Sequence, residues 1–417
     1  MNKNAFALTL LISLFFFWGL AANMTDTLLA AFKKIMSMSD FQTSLIQMSF
    51  YGAYFFLAFP AALYIRKFSY KAGVLLGLGL YIAGALLFFP ASISMQYGHF
   101  LVALFVLAGG LSILETSANP YILVVGPKES ATKRLNLAQS FNPIGAITGV
   151  ILSKFFILAD LNQADAALRS RMLAAELEAV QTAELNAVMG PYVGVAVLLI
   201  LIWLAIRFTN MPKTSDAGSA FNIGASLKRL IKVPAYWRGV IAQFFYMGAQ
   251  IGVWSFTIRY VMSELSIAED EAADYYIISL VLFTGARFLA TWLMNYIKPT
   301  VMLGSAAIMG AFATLVALST SGMTGVVAFM SISAFMSLMF PTIFGLAADG
   351  LGEDTKIAGS GLVMAILGGA VFPVLQGLIS DATGSIKLSL VLPIICFIVV
   401  FLYAVFIYRV KHINVSD

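Results

Sequence analysis

Long apolar runs recur from one end of this 417-residue chain to the other, and they restrict the fold more than any other feature. A helix rises about 1.5 Å per residue and the hydrocarbon core of a bilayer is roughly 30 Å thick, so about 20 mostly apolar residues make one crossing. Twelve stretches meet that length: roughly 5–32, 40–64, 70–90, 99–125, 135–159, 189–208, 238–262, 273–296, 299–319, 323–348, 357–379 and 386–409. The first is too long for a signal-peptide core, and no small-residue cleavage site follows it, so it counts as a span. Alternating apolar strands are absent, so the crossings are helical rather than a barrel. The expected fold is an all-α membrane protein of twelve transmembrane helices. Composition agrees, with 60% of residues hydrophobic and 11% charged, against about 25% charged in soluble domains. A soluble enzyme, a secreted domain and a disordered scaffold are poor fits.

Charge placement gives the sidedness. With a cytoplasmic N-terminus, the inner loops hold Arg66, Lys67, Lys71, Lys128, Lys133, Arg134, Lys213, Lys228, Arg229, Lys232 and Arg238. The outer loops hold most of the acids, among them Asp160, Glu176, Glu184, Glu264 and Glu271. That asymmetry puts both termini in the cytoplasm. The net charge of +5 is therefore a topology signal and not one for nucleic acid. The longest polar inner stretch, 209–237, is read as a linker between an N-terminal six-helix half at 1–208 and a C-terminal half at 238–417. Two related stretches support a repeat: NPYILVVGPKESATKRLNLAQSFNPIGA and FPTIFGLAADGLGEDTKIAGSGLVMAILGGA. Each runs proline, apolar turn, glycine, charged loop and small-residue helix, as parallel repeats around a central cavity do. The alanine-rich outer segment 160–188 is expected to be a short surface helix.

Polar residues inside the spans carry the function. A charge at the bilayer centre costs at least about 2.5–3.5 kcal/mol, so such residues usually face a wet cavity or a partner. Asp26 lies in FWGLAANMTDTLLAAF, with Asn23 on its face; Glu115 lies in GGLSILETSANPY, with Asn119 on its face. Neither acid has a lysine or arginine at helical spacing in its own span, and burial disfavours the charged form of a carboxyl, so both are candidate proton carriers. The bland alternative is a neutral carboxyl tying helices together. Arg287, in FTGARFLATW, needs a counter-charge, backbone carbonyls or water, and is read as structural or gating. Gln243, Gln250 and Trp254 are spaced by seven and four, with Tyr246 beside them; Gln47, Tyr51 and Tyr54 follow a four-three step; Gln139 and Asn142 share a face before Pro143. Amides offer donors and an acceptor to a ring of hydroxyls, and aromatic faces pack on sugar C–H groups, so these residues describe a polyol site. Gly145 with Gly149, and Gly73 with Gly77, are close-packing pairs. One cysteine, Cys396, and two histidines give no disulfide, no metal cluster and no nucleophile with its base, so neither an enzyme nor a bound cofactor is expected.

At NMTDTLL, FYGAYF with RKFSYKAG, LETSANPY, RLNLAQSFN, AQFFYMGAQ with WSFTIRY, SAFMS before FPTIFGLA, and LGEDTK, the chain resembles the major facilitator superfamily. Within it the resemblance is to the fucose:proton symporter and bacterial glucose/galactose transporter family, over nearly the whole chain. That resemblance implies a bacterial inner-membrane protein importing a monosaccharide, a hexose, deoxyhexose or amino sugar, and a monomer is expected. It implies that Asp26 and Glu115 couple protons, that Asn23, Gln139 and Asn142 line the cavity, and that the two halves alternate access. Met339 and Phe340 stand where fucose symporters carry glutamine and tyrosine, which argues against L-fucose itself and marks Phe340 as a gating or structural position. Sodium in place of the proton, a proton/drug exporter and a sugar sensor are the rival readings.

Overall fold

The structure, a computed structural model, describes residues 3–35, 40–94, 96–156, 169, 171–211 and 223–413. Among the described residues every regular element is helical. The helices are α1 (Lys3–Ile35), α2 (Asp40–Lys67), α3 (Tyr70–Ser94), α4 (Tyr97–Val124), α5 (Ala131–Phe156), α6 (Ala174–Phe208), α7 (Ile223–Ile231), α8 (Pro234–Leu265), α9 (Glu269–Leu293), α10 (Pro299–Ser319), α11 (Gly322–Met336), α12 (Met339–Ala348), α13 (Thr355–Met364), α14 (Gly368–Thr383), α15 (Ile386–Ser389) and α16 (Val391–Ile413). Among the described residues, seven helical stretches are long and apolar enough to cross a membrane by themselves, from Tyr70–Ser94 to Ile386–Val410. Helix is the only local structure that satisfies each backbone group within its own segment in hydrocarbon, so apolar length translates into helix length.

Local chemistry sets several of the ends. Pro234 and Pro299 open α8 and α10 at their first turns, where a missing N–H costs no bond. Ser266 closes α8 in a left-handed conformation, φ 52°, donating its N–H to Met262 O. The tenth and eleventh apolar runs are not single helices. Ser337 and Leu338 separate α11 from α12, and a 3₁₀ turn at Ala365–Leu367 separates α13 from α14. The segment expected as a surface helix is instead, from residue 174, the start of α6, which runs unbroken to Phe208. Its alanine- and glutamate-rich turns are strong helix formers and offer no stop signal. Arg169 clamps that extension, donating to both carboxylate oxygens of Glu184 at 2.8 and 2.5 Å with both side chains buried. Residues 160–168 and 170 of the same segment lie outside the described residues.

The residues group into two compact units. One comprises Met1–Ala118 with Phe141–Lys213, the other Asn119–Ser140 with Thr214–Asp417. In the first unit, α5 meets α1 backbone to backbone. A Cβ added at Gly145 would lie 1.8 Å from Phe16 O, and one at Gly19 would lie 2.0 Å from Asn142 O. Gly77 and Gly110 bring α3 against α4 in the same way. Such stripes take over packing where lipid tails are as apolar as leucine and water no longer drives association. In the second unit, α8 is the central strut. Tyr260 stacks on Phe329 of α11 at 4.4 Å between centroids, and Phe372 of α14 packs between Phe244 and Phe245. Cys396 is buried in α16.

Gly145→Val should lower the thermal stability of the detergent-solubilised protein by at least the ~1–3 kcal/mol of an overpacked core. Gly194→Ala, inside α6 where an added Cβ meets nothing within 4 Å, should hold or raise the melting temperature. Equal melting temperatures for the two variants would refute the close approach.

Candidate functional site

In the first unit, Glu115 sits about two thirds of the way along α4 with 7% of its surface exposed, and its Oε2 is buried without a protein partner. The neighbouring Thr116 hydroxyl is likewise unpartnered. Asn23 is half-buried and donates to Gly19 O, one turn back in α1, at 3.2 Å. Asn142 ties α5 to α1, its Nδ2 donating to Phe15 O at 3.2 Å. Tyr51 is half-buried, edge-on to Phe50 at 5.5 Å. Tyr54 is buried, and its carbonyl accepts the Ser112 hydroxyl at 3.1 Å. Asp26 and Gln47 belong to α1 and α2, but their side chains lie outside the described residues.

In the second unit, Arg287 of α9 shows what an intramembrane guanidinium does without a carboxylate beside it. It is 3% exposed, lies over the Phe283 ring at 4.4 Å, and donates through Nε to Ser337 O at 2.5 Å and through Nη1 to Gln139 O at 3.0 Å. Both carbonyls are orphans of proline. In a helix the carbonyl of residue i−4 accepts the N–H of residue i, and proline has none. Pro341 therefore leaves Ser337 O free, and Pro143 leaves Gln139 O free. One arginine satisfies both. The first half of α5 is held along its length as well: Ser140 meets Thr291 at 3.5 Å, Asn136 donates to Thr342 at 3.2 Å, and Lys133 donates to Asn295.

The predicted amides separate by accessibility. Gln139 donates to Asn119 Oδ1 at 2.9 Å, and Asn119 Nδ2 is buried without a partner. Gln243 is fully buried with both amide atoms unpartnered. Gln250 and Trp254 are half-buried, and the Trp254 indole donates to Ser333 at 3.4 Å. The Tyr246 hydroxyl is committed to Met336 O at 3.1 Å, a carbonyl at the break between α11 and α12. Phe340 is 6% exposed, between Tyr246 at 6.4 Å and Phe344 at 6.3 Å, and Met339 is fully buried. Sequence reasoning missed Gln376 of α14, fully buried with both amide atoms unpartnered against Gly252 of α8. A glutamine in the apolar run VFPVLQGLIS was the available signal. A cavity of about 900 Å³ in this unit is lined by Lys128, Thr132, Lys298, Asp349, Thr355 and Tyr408 among others, and by none of the predicted site residues.

The family model of the Major Facilitator Superfamily matches residues 6–366. An L-fucose-proton symporter of Haemophilus influenzae is 40% identical over 406 residues, 94% of either chain. A glucose/galactose transporter of Brucella abortus is 32% identical over 415 residues, 96% of this chain and 94% of that one. The crystal structure of the transporter FucP in the outward conformation superposes with a TM-score of 0.93 at 38% identity, covering 97% of this chain and 99% of that one.

Arg287→Ala should lower the melting temperature by the equivalent of about 1–3 kcal/mol for each carbonyl it abandons. Adding Pro341→Ala to that variant supplies an N–H for Ser337 O and should restore part of the loss; no restoration would mean the arginine acts otherwise. For the orphan amides the sign reverses. Gln376→Met removes two unsatisfied groups at similar volume and should leave the ligand-free protein as stable or more stable, whereas a marked fall would reveal a partner.

Proposed function

Since the chain belongs to the Major Facilitator Superfamily, we propose that it imports a monosaccharide together with a proton across the bacterial inner membrane by alternating access. In this reading 1–208 and 238–417 are the two six-helix halves, 209–237 is the linker, both termini are cytoplasmic, and the protein works as a monomer. The observation that carries it is Glu115: a carboxyl well inside a membrane-crossing helix, nearly inaccessible, with one oxygen unpartnered. A carboxylate is costly to enclose without water, while the protonated acid is not. A site that closes only after Glu115 takes its proton couples closure to proton uptake. Asp26 serves as the second acid.

Sugar recognition falls to Asn23, Gln47, Tyr51, Asn119, Gln139, Asn142, Gln243, Tyr246, Gln250 and Trp254. Gln250 and Trp254 are the accessible pair on α8, an amide beside an aromatic face. Tyr246 contributes through its ring, since its hydroxyl is engaged. Arg287 and Phe340 shape the wall. The relatives' names cover L-fucose, glucose and galactose. By the resemblance, Met339 and Phe340 stand where fucose symporters carry glutamine and tyrosine, and in this reading that disfavours L-fucose, because a site built on hydrogen bonds discriminates strongly by them. A potential of 100 mV contributes about 2.3 kcal/mol per charge moved, enough for roughly fifty-fold accumulation.

Proteoliposomes holding the full chain, with an imposed pH gradient and a panel of hexoses, deoxyhexoses and amino sugars, test the proposal. Glu115→Gln and Asp26→Asn should lose uphill accumulation while keeping sugar exchange across the membrane. Accumulation that survives in both variants, or that follows a sodium gradient and ignores pH, overturns proton coupling by these acids.

A further inference from the structure

The short helix α7, just before α8, has three distinct flanks. Ser226 and Leu230 are buried within the second unit. On one side of that stripe Arg229 grips Asp354, beside the start of α13, with Nε at 2.7 Å from Oδ2 and Nη2 at 2.8 Å from Oδ1. The carboxylate holds the guanidinium above its ordinary value, so the clamp stays charged. On the other side Ile223, Leu227 and Ile231 are 37%, 37% and 72% exposed. Their i, i+4, i+8 spacing makes one continuous apolar stripe. Lys228 and Lys232 border it, both exposed.

A second observation says what covers that stripe. Large aromatic rings stand exposed at the same end of the unit: Trp237 at the start of α8, Trp292 and Tyr296 at the end of α9, and Tyr408 near the end of α16, at 41%, 55%, 74% and 42%. Arg238 of α8 lies over Phe406 of α16 at 3.9 Å, which puts those two helix ends side by side. Exposed tryptophan and tyrosine at the ends of crossing helices mark the headgroup level of the bilayer. Two residues, Lys232 and Val233, separate α7 from α8. An apolar stripe edged by lysines at headgroup depth matches an anionic lipid surface in both charge and polarity.

We propose that α7 lies in the membrane interface, its Ile223–Leu227–Ile231 stripe in the acyl boundary and Lys228 and Lys232 on anionic phospholipid headgroups. The Arg229–Asp354 clamp then ties a lipid-bound helix to the start of α13. The inference rests on the membrane location and the geometry of α7, and stands whatever sugar or ion is carried.

The test uses the full-length protein with Ile231→Cys carrying an environment-sensitive fluorophore; the native Cys396 is buried. It is reconstituted in phosphatidylcholine vesicles, with and without phosphatidylglycerol, containing brominated acyl chains as quencher. Quenching should be present and should rise with phosphatidylglycerol. Each lysine near an anionic surface contributes about 1 kcal/mol, so Lys228→Gln with Lys232→Gln should lower the docked-to-undocked ratio in anionic vesicles by roughly 25-fold. Leu227→Ser should weaken quenching in both lipids. A label quenched only by aqueous iodide in anionic vesicles overturns the proposal. So does quenching indifferent to phosphatidylglycerol, or full reproduction of the lipid effect by inorganic phosphate on phosphatidylcholine vesicles.

Discussion

A carbonyl oxygen stripped of its ladder partner has no water to turn to inside hydrocarbon, and the junction of α5, α9 and α12 is built on that fact. Pro143 and Pro341 each release one such oxygen, and Arg287 reaches both. The arginine gains too. A fully desolvated guanidinium is expensive, and two carbonyl dipoles and the face of Phe283 give it a compensating environment without a carboxylate. The three residues are therefore one device, and the substitution of any one changes what the other two are worth. Tyr246 repeats the logic nearby, closing the carbonyl of Met336 where α11 ends.

Much of this was legible in the sequence because apolar length is a one-dimensional property. A run of about 20 apolar residues reads as a crossing helix whatever it packs against. Asp26 and Glu115 stood out for the complementary reason, as charges where charges are expensive. The interruptions after Met336 and Met364 were harder to see. A proline in an apolar run announces a freed carbonyl but not whether the helix bends or breaks, which depends on neighbours hundreds of residues away. The need of Arg287 for carbonyls was readable; which carbonyls was not, since Gln139 is 148 positions distant. The alanine-rich stretch before the sixth crossing misled because charge suggested a separate surface helix, while the same residues' helix propensity carried α6 straight through. Gln376 escaped although Phe372 stands four residues before it, because it is one amide in an otherwise apolar run with no second amide at helical spacing.

The buried amides show a tension between stability and use. Gln243 and Gln376 each bury a donor and an acceptor without a protein partner, at a cost of about 1–3 kcal/mol per unsatisfied group. Methionine of nearly the same volume would remove that cost. Under the proposed function, polar groups that weaken the resting fold are what a passing hydroxyl-rich cargo would engage.

The joint in the eleventh crossing has a mechanical consequence. At Gly368, where α14 begins, a Cβ would fall 1.9 Å from Phe244 O of α8, so the two helices touch there main chain to main chain. If the helix pair rotates about that point, α14 lies on one side of it and, beyond the 3₁₀ turn, α13 on the other. From Gly368 to Thr383 the arm is roughly 22 Å at about 1.5 Å per residue. A tilt of about 10° about the pivot would swing its far tip by ~4 Å on that length, and a stiff joint would carry the Lys356 end the opposite way. Leverage of this kind turns a small rotation at the waist of a helix pair into a displacement at its tip as large as a water molecule is wide.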